Sequence, residues 1–134
     1  MKHIIEESEN VYLYNDTDYR PALFSADCII GDRSALMVEA GVMDVPVLYL
    51  TNFYYQEQLL PSVKPLFDSY YQGNTCYDIE MFLDYVMEKG HDYKQEQRRK
   101  AANKCIPNFD GQSGRRIADT IAKVMDMERR GYEL

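Results

Sequence analysis

Long apolar runs are missing from this chain, and so are paired cysteines, clustered histidines and any excess of positive charge. No stretch approaches the roughly 20 apolar residues that a membrane-spanning helix needs. The N-terminal MKHIIEESEN also lacks the apolar segment of a secretory signal. The expected location is therefore the cytoplasm, with peripheral contact at the inner face of the membrane as a variant. Three cysteines, Cys28, Cys76 and Cys105, are odd in number, far apart and without C-x-x-C or Cys/His metal spacing. They fit a reducing compartment better than a disulfide scaffold or a zinc site. His3 and His91 stand alone, with no Cys, Asp or Ser arrangement around them, which argues against either as a general base. Repeats, low-complexity tracts and linkers are absent too. No metal or cofactor is expected.

What is present is one domain's worth of chain. The 134 residues are 46% hydrophobic, enough for a real core. Net charge is −7, which argues against nucleic acid as the main partner. The charge is unevenly spread. Residues 1–88 hold 4 basic and 15 acidic groups, a net −11, whereas residues 89–134 hold 11 basic and 7 acidic groups, a net +4. The basic third suits an anionic partner, such as a membrane surface or a phosphate-bearing substrate, or simply a solvated helix face.

The chain is organised around residues 26–50, ADCIIGDRSALMVEAGVMDVPVLYL. Asp27–Ile30 reads as a strand that stops at Gly31-Asp32. Ser34–Met43 has helical spacing, with Leu36, Ala40 and Met43 on one face and Val38 and Val42 beside it. Asp44-Val45-Pro46 ends that helix, because the residue before proline is pushed out of helical geometry. Val47–Leu50 is again continuously apolar, as in a strand buried on both faces of a parallel sheet. The unit is βαβ, so the turn at Gly31–Ser34 lies at a strand's carboxyl end, where open α/β sheets bind ligands. It is also a helix start with free N–H groups, a preferred site for phosphate.

Around this unit, Val11–Tyr14 reads as a strand and Tyr19–Ala26 as a helix whose Leu23, Phe24 and Ala26 pack on the sheet. Lys2–Glu7 reads as the end of a helix. Thr51–Thr75 is irregular and rich in tyrosine, so it is expected to be a functional loop or to carry a short helix. Thr75-x-x-Asp78 opens a helix to Lys89, closed by Gly90. A basic helix spans Asp92–Cys105. Asp110-Gly111 is a turn, and Ser113 caps a last helix, Gly114–Met127, with Ile117, Ala118, Ile121, Val124 and Met125 as its apolar stripe. The expected fold class is α/β, a Rossmann-like parallel sheet flanked by helices in the order βαβαβ followed by three helices.

The residues Gly31, Asp32, Arg33, Ser34 and Ala35 at the head of a helix, with Glu39 a turn further on and Asp110-Gly111-x-Ser113 opening the final helix, form a pattern. It resembles the C-terminal lobe of the CDP-glycerol glycerophosphotransferases, GT-B-fold enzymes that build teichoic-acid-type polymers. In that family a strand runs into Thr-Asp-Tyr-Ser-Ser at a helix start, and Asp-Gly-x-Ala/Ser-x-Arg lies near the end. Here Gly31 stands for Thr, Arg33 for Tyr and Ala35 for the second Ser; Arg115 or Arg116 stands for the terminal Arg. The likeness runs from about Val11 to Val124. It implies a partial GT-B lobe that binds CDP-glycerol or another nucleotide-linked donor, with the catalytic base on an N-terminal lobe outside this chain. On this view the chain is a fragment of the enzyme.

Each candidate residue has a plainer alternative. Ser34 and the amides of Ser34, Ala35 and Leu36 suit a pyrophosphate, with a helix-dipole contribution of about 0.3–1 kcal/mol, but serine is also an ordinary N-cap. Glu39 shares a helix face with Ala35, and the resemblance implies contacts to ribose hydroxyls there, against a plain surface glutamate. Asp32 suits a backbone cap, since its charge repels phosphate. Arg33 suits a bidentate grip on phosphate or a solvent-exposed position. Asp110, Ser113 and Arg116 mark a secondary site or a structural turn. Two other readings keep the nucleotide: a UDP-sugar glycosyltransferase or epimerase lobe, and a non-catalytic nucleotide-binding module. A phospho-receiver domain is disfavoured, because too little chain separates Asp32 from the strand at Pro46.

Overall fold

A computed structural model of the chain describes residues 7–32, 34–51 and 59–129, with only the backbone at Glu128. Its framework is a three-stranded, all-parallel sheet in the order β1-β2-β3. The strands are β1 (Ile29–Gly31), β2 (Val47–Leu50) and β3 (Tyr71–Gly73). Ile29 lies opposite Val47, and Leu48 opposite Tyr71. The helices are α1 (Arg20–Ser25), α2 (Ala35–Val42), α3 (Lys64–Asp68), α4 (Cys76–Phe82), α5 (Gln95–Cys105) and α6 (Ser113–Arg129). A π-helical turn, Leu83–Glu88, continues α4. The Rossmann-like α/β class read from the sequence is the class observed.

The alternation of side chains along β2 builds two cores. Val47 and Tyr49 face one side, with Met37 and Ala40 of α2, Leu66 and Phe67 of α3, Tyr70, and Ala101 and Ala102 of α5. Tyr49 meets Phe67 edge-on at 5.1 Å. Leu48 faces the other side, against Tyr71, Phe82 and Val86, with Cys28, Leu50 and Ile79 around them. With helices on both faces, β2 is buried from Val47 to Tyr49 and half-buried at Leu50, which is why it reads as an unbroken apolar run.

Two close fits fix how α2 sits. Gly41 is a glycine because a Cβ there would lie 2.1 Å from the Tyr70 hydroxyl. That hydroxyl reaches past it to donate to the Met37 carbonyl at 2.6 Å. After α2 the chain turns through Asp44 at φ +63°, a left-handed conformation that costs a non-glycine residue roughly 1–2 kcal/mol. Its carboxylate is gripped from α5: Arg98 donates at 2.9 Å, Arg99 at 2.7 Å and Gln95 at 3.0 Å. Arg98, buried, also pairs with Asp92 at 2.7 Å. The α2–β2 corner is thereby tied to α5.

Several sequence expectations are corrected. Val11–Tyr14 forms no strand: it is exposed and carries no ladder hydrogen bonds. Apolar content alone does not make a strand; the backbone must find a ladder partner, and this segment pairs with neither β1 nor β3. The third strand is β3, three residues inside the stretch expected to be irregular, and α3 is the short helix of that stretch. On α1 only Leu23 is buried, while Phe24 is largely exposed. The Lys2–Glu7 helix, Arg33, and Tyr54 and Tyr55 of the loop fall on residues outside those described, apart from Glu7 itself. Among the described residues, no helix is long and apolar enough to cross a membrane.

Candidate functional site at the carboxyl edge of the sheet

Parallel strands deliver the ends of β1, β2 and β3 to one edge, and two helices start there. The edge is closed between β2 and β3, where the Thr51 amide donates to the Gly73 carbonyl at 2.9 Å. The two helix starts differ in how their first-turn N–H groups are used. At α4, Thr75 and Asp78 form a reciprocal capping box. Asp78 Oδ2 accepts from the Asn74 and Thr75 amides, each at 2.9 Å, and from the Thr75 hydroxyl at 2.7 Å. An anion of the protein's own already occupies that helix start. These hydrogen bonds hold the Asp78 carboxyl below its usual range, led by the Asn74 amide.

At α2 the start is open. Ser34 is the N-cap, in extended geometry, and its hydroxyl accepts the Leu36 amide at 3.1 Å. The Ser34 carbonyl takes the Met37 amide at 3.2 Å. The Ala35 amide has no acceptor within the helix, as expected for the first position. Both Ser34 and Ala35 are exposed. They line a cavity of about 320 Å³ whose other walls are Val38, Leu59, Leu60, Val63 and Phe67. Donors at one end and apolar walls along the rest are the usual make-up of a small-molecule site. The walls from Leu59, Leu60, Val63 and Phe67 went unrecognised in the sequence because they belong to the irregular stretch; the pair Leu59-Leu60 ahead of Pro61 was the available signal.

The other expected site residues fall as follows. Asp32 follows β1 on the surface, and the capping role expected of it is taken by Ser34. Glu39, half-buried on α2, accepts the Tyr19 hydroxyl at 2.8 Å, which ties α1 to α2 and raises the phenol's pKa above its ordinary value. Asp110 and Arg116 are joined by a bidentate ion pair, and the Gln112 amide donates to Asp110 at 3.0 Å. Ser113 opens α6 beside them but is the helix's first residue, not the cap before it. This cluster closes the turn into α6, and no hydrogen bond or ion pair among the described residues joins it to Ser34. α6 buries none of its described side chains: Ile117 is 61% exposed and Ile121 55%.

Searches of curated proteins and of solved structures gave no match. The family model described as CDP-Glycerol:Poly(glycerophosphate) glycerophosphotransferase, in contrast, matches residues 1–123. That is nearly the whole chain, α2, its open start and the Asp110 turn included. The chain thus belongs to the CDP-glycerol:poly(glycerophosphate) glycerophosphotransferase family, a family of transferases.

Proposed function

We propose that this chain is the donor-nucleotide lobe, half of a GT-B fold, of an enzyme that transfers glycerol phosphate from CDP-glycerol to a growing teichoic-acid or capsule-type polymer. The observation that carries the reading is the open start of α2. Within a chain of this family, Ser34 and Ala35 stand at the carboxyl end of β1 and border a cavity with apolar walls.

The donor's pyrophosphate would sit against the Ala35 amide and the Ser34 hydroxyl, in the positive field of the helix start. Val38, Leu59 and Val63 would flank the less polar part of the nucleotide. Glu39 would accept ribose hydroxyls in exchange for Tyr19. Arg33 is the cation assigned to the phosphate. In the reaction an acceptor hydroxyl oxygen bonds to the donor's β-phosphorus. The bridging P–O bond breaks, CMP leaves with the electron pair, and the hydroxyl proton passes to a base on the facing lobe. This lobe contributes positioning and charge stabilisation. The stripe of α6 would meet that facing lobe, and the basic residues 89–134 an anionic membrane surface.

Titrating the chain with CDP-glycerol, CMP, UDP and UDP-GlcNAc, followed by NMR amide shifts, tests the reading. The expected result is preference for the cytidine compounds, with shifts at Ser34–Glu39 that Ser34→Ala weakens. Uridine preference would transfer the site to sugar-nucleotide chemistry. Absence of binding at millimolar ligand would remove the claim that this lobe is itself a competent site.

A further inference from the structure

A second cavity, of about 340 Å³, opens on the opposite face of the sheet. Its walls include Tyr71, Phe82, Tyr85 and Tyr93, and Asp78 also lines it. Tyr71 is the hub of the aromatic wall, with ring centroids 5.2 Å from Phe82 and 5.1 Å from Tyr93, the latter edge-on. Tyr85 comes from the π-helical turn, where the Lys89 amide reaches back five residues to the Asp84 carbonyl at 3.0 Å. Such turns occur often at functional sites.

Among the residues that line this cavity, Asp78 carries the one formal charge. No lysine or arginine is among its walls. The Asp78 carboxylate is charged at neutral pH, its partners are two amides and a hydroxyl, and no ion pair to it exists among the described residues. Aromatic rings attract cations, and two of these already have an ammonium group of the protein beside them. Lys89 Nζ lies 4.3 Å from the Tyr85 ring centre and Lys94 Nζ 5.5 Å from that of Tyr71. Both are held elsewhere, Lys89 by Asp84 and Lys94 by the Tyr70 carbonyl. A carboxylate held by hydrogen bonds alone, beside aromatic rings, disfavours anions. A hydrated inorganic cation gains little from apolar walls. The ligand that gains from both features is a cation with an apolar shell.

We propose that this cavity is a binding site for a methylated ammonium group, with Tyr71, Phe82, Tyr85 and Tyr93 as the aromatic box and Asp78 as the counter-charge. The site lies apart from Ser34 and is independent of the donor-binding reading. The test is an NMR titration of the full chain with choline and tetramethylammonium, set against the neutral isostere 3,3-dimethylbutan-1-ol. Saturable shifts are expected at Gln72, Met81, Tyr85 and Tyr93, with Ser34–Glu39 unmoved. The neutral alcohol should bind about fivefold or more weakly, and Tyr85→Leu should weaken choline by about the same factor. Asp78→Asn should weaken choline but not the alcohol; where it also frays α4, Tyr93→Leu at an exposed position serves instead. Absent or non-saturable shifts, equal binding of choline and the alcohol, or unchanged affinity in both tyrosine variants would each overturn the proposal.

Discussion

Replacing Arg98 with methionine tests what holds the corner between α2 and β2. The guanidinium is 1% exposed. Its Nη2 donates to Asp44 Oδ1 at 2.9 Å, to the Asp44 carbonyl at 3.0 Å and to Asp92 Oδ2 at 2.7 Å. Methionine replaces much of the apolar stem, so the loss is chiefly electrostatic. Removing one partner of a buried pair costs about 3–5 kcal/mol, because it strands the other charge. Here Asp44 retains Arg99 and Gln95, and Asp92 retains the Tyr71 hydroxyl at 2.9 Å. The two carboxylates are also 23% and 17% exposed. The expected cost is therefore at the low end, about 3 kcal/mol, a large part of the roughly 5–15 kcal/mol available to a domain. In urea unfolding this lowers the midpoint by about 1–3 M for slopes of about 1–3 kcal/mol/M. Adding Asp92→Asn removes one stranded charge and should return about 1 kcal/mol. A loss below about 1 kcal/mol for Arg98→Met would refute the argument that this arginine pins the corner.

The same residue sets a pH response. Burial alone would raise the Asp92 pKa, but Arg98 and Tyr71 outweigh it and hold the carboxyl below its ordinary value. A group depressed in the folded state contributes stability above its unfolded pKa, about 4, and loses it as pH falls through the folded value. Stability should therefore decline on acidification below about pH 4, and Arg98→Met should flatten that decline. Gly41→Ala, which drives a Cβ into the Tyr70 hydroxyl, should cost about 1–3 kcal/mol in thermal or urea unfolding. Tyr70→Phe should return part of it, and full wild-type stability for Gly41→Ala alone would contradict the packing described. Thr75→Ala should cost about 1 kcal/mol through the lost cap, with amide exchange accelerating first at the start of α4.

The βαβ unit was legible because each of its signals has a local cause. Pro46 stops α2, the apolar run Val47–Leu50 marks a strand covered on both faces, and Ser34 caps the helix behind a strand end. The capping box at Thr75 and Asp78 was legible for the same reason. What escaped depends on tertiary partners. β3 is three residues long and is a strand because it pairs with β2, whereas Val11–Tyr14 is apolar but pairs with neither β1 nor β3. The need for glycine at position 41 comes from the Tyr70 hydroxyl, and Arg98 stood in a helix read only as basic. At the candidate site, Ser34 and Ala35 were read from the motif. The walls from Leu59, Leu60, Val63 and Phe67 required the fold, because they come from a stretch without periodicity. Asp110, Ser113 and Arg116 were read as a secondary site or a structural turn, and Asp110 and Arg116 pair in the turn into α6.

The exposure of α6 has a consequence for how the protein reports on its surroundings. A helix of 17 residues with no buried face is sustained by its own backbone and by weak side-chain pairs such as Arg115–Asp119. That places it near the length at which isolated helices are marginal in water. Its amides should exchange with solvent orders of magnitude faster than those of β2, whose opening requires disrupting both cores. Any surface that covers Ile117, Ile121 and Met125 would slow exchange along α6 while leaving the sheet unchanged. The last helix is thus a built-in gauge of association, readable residue by residue before any partner is identified.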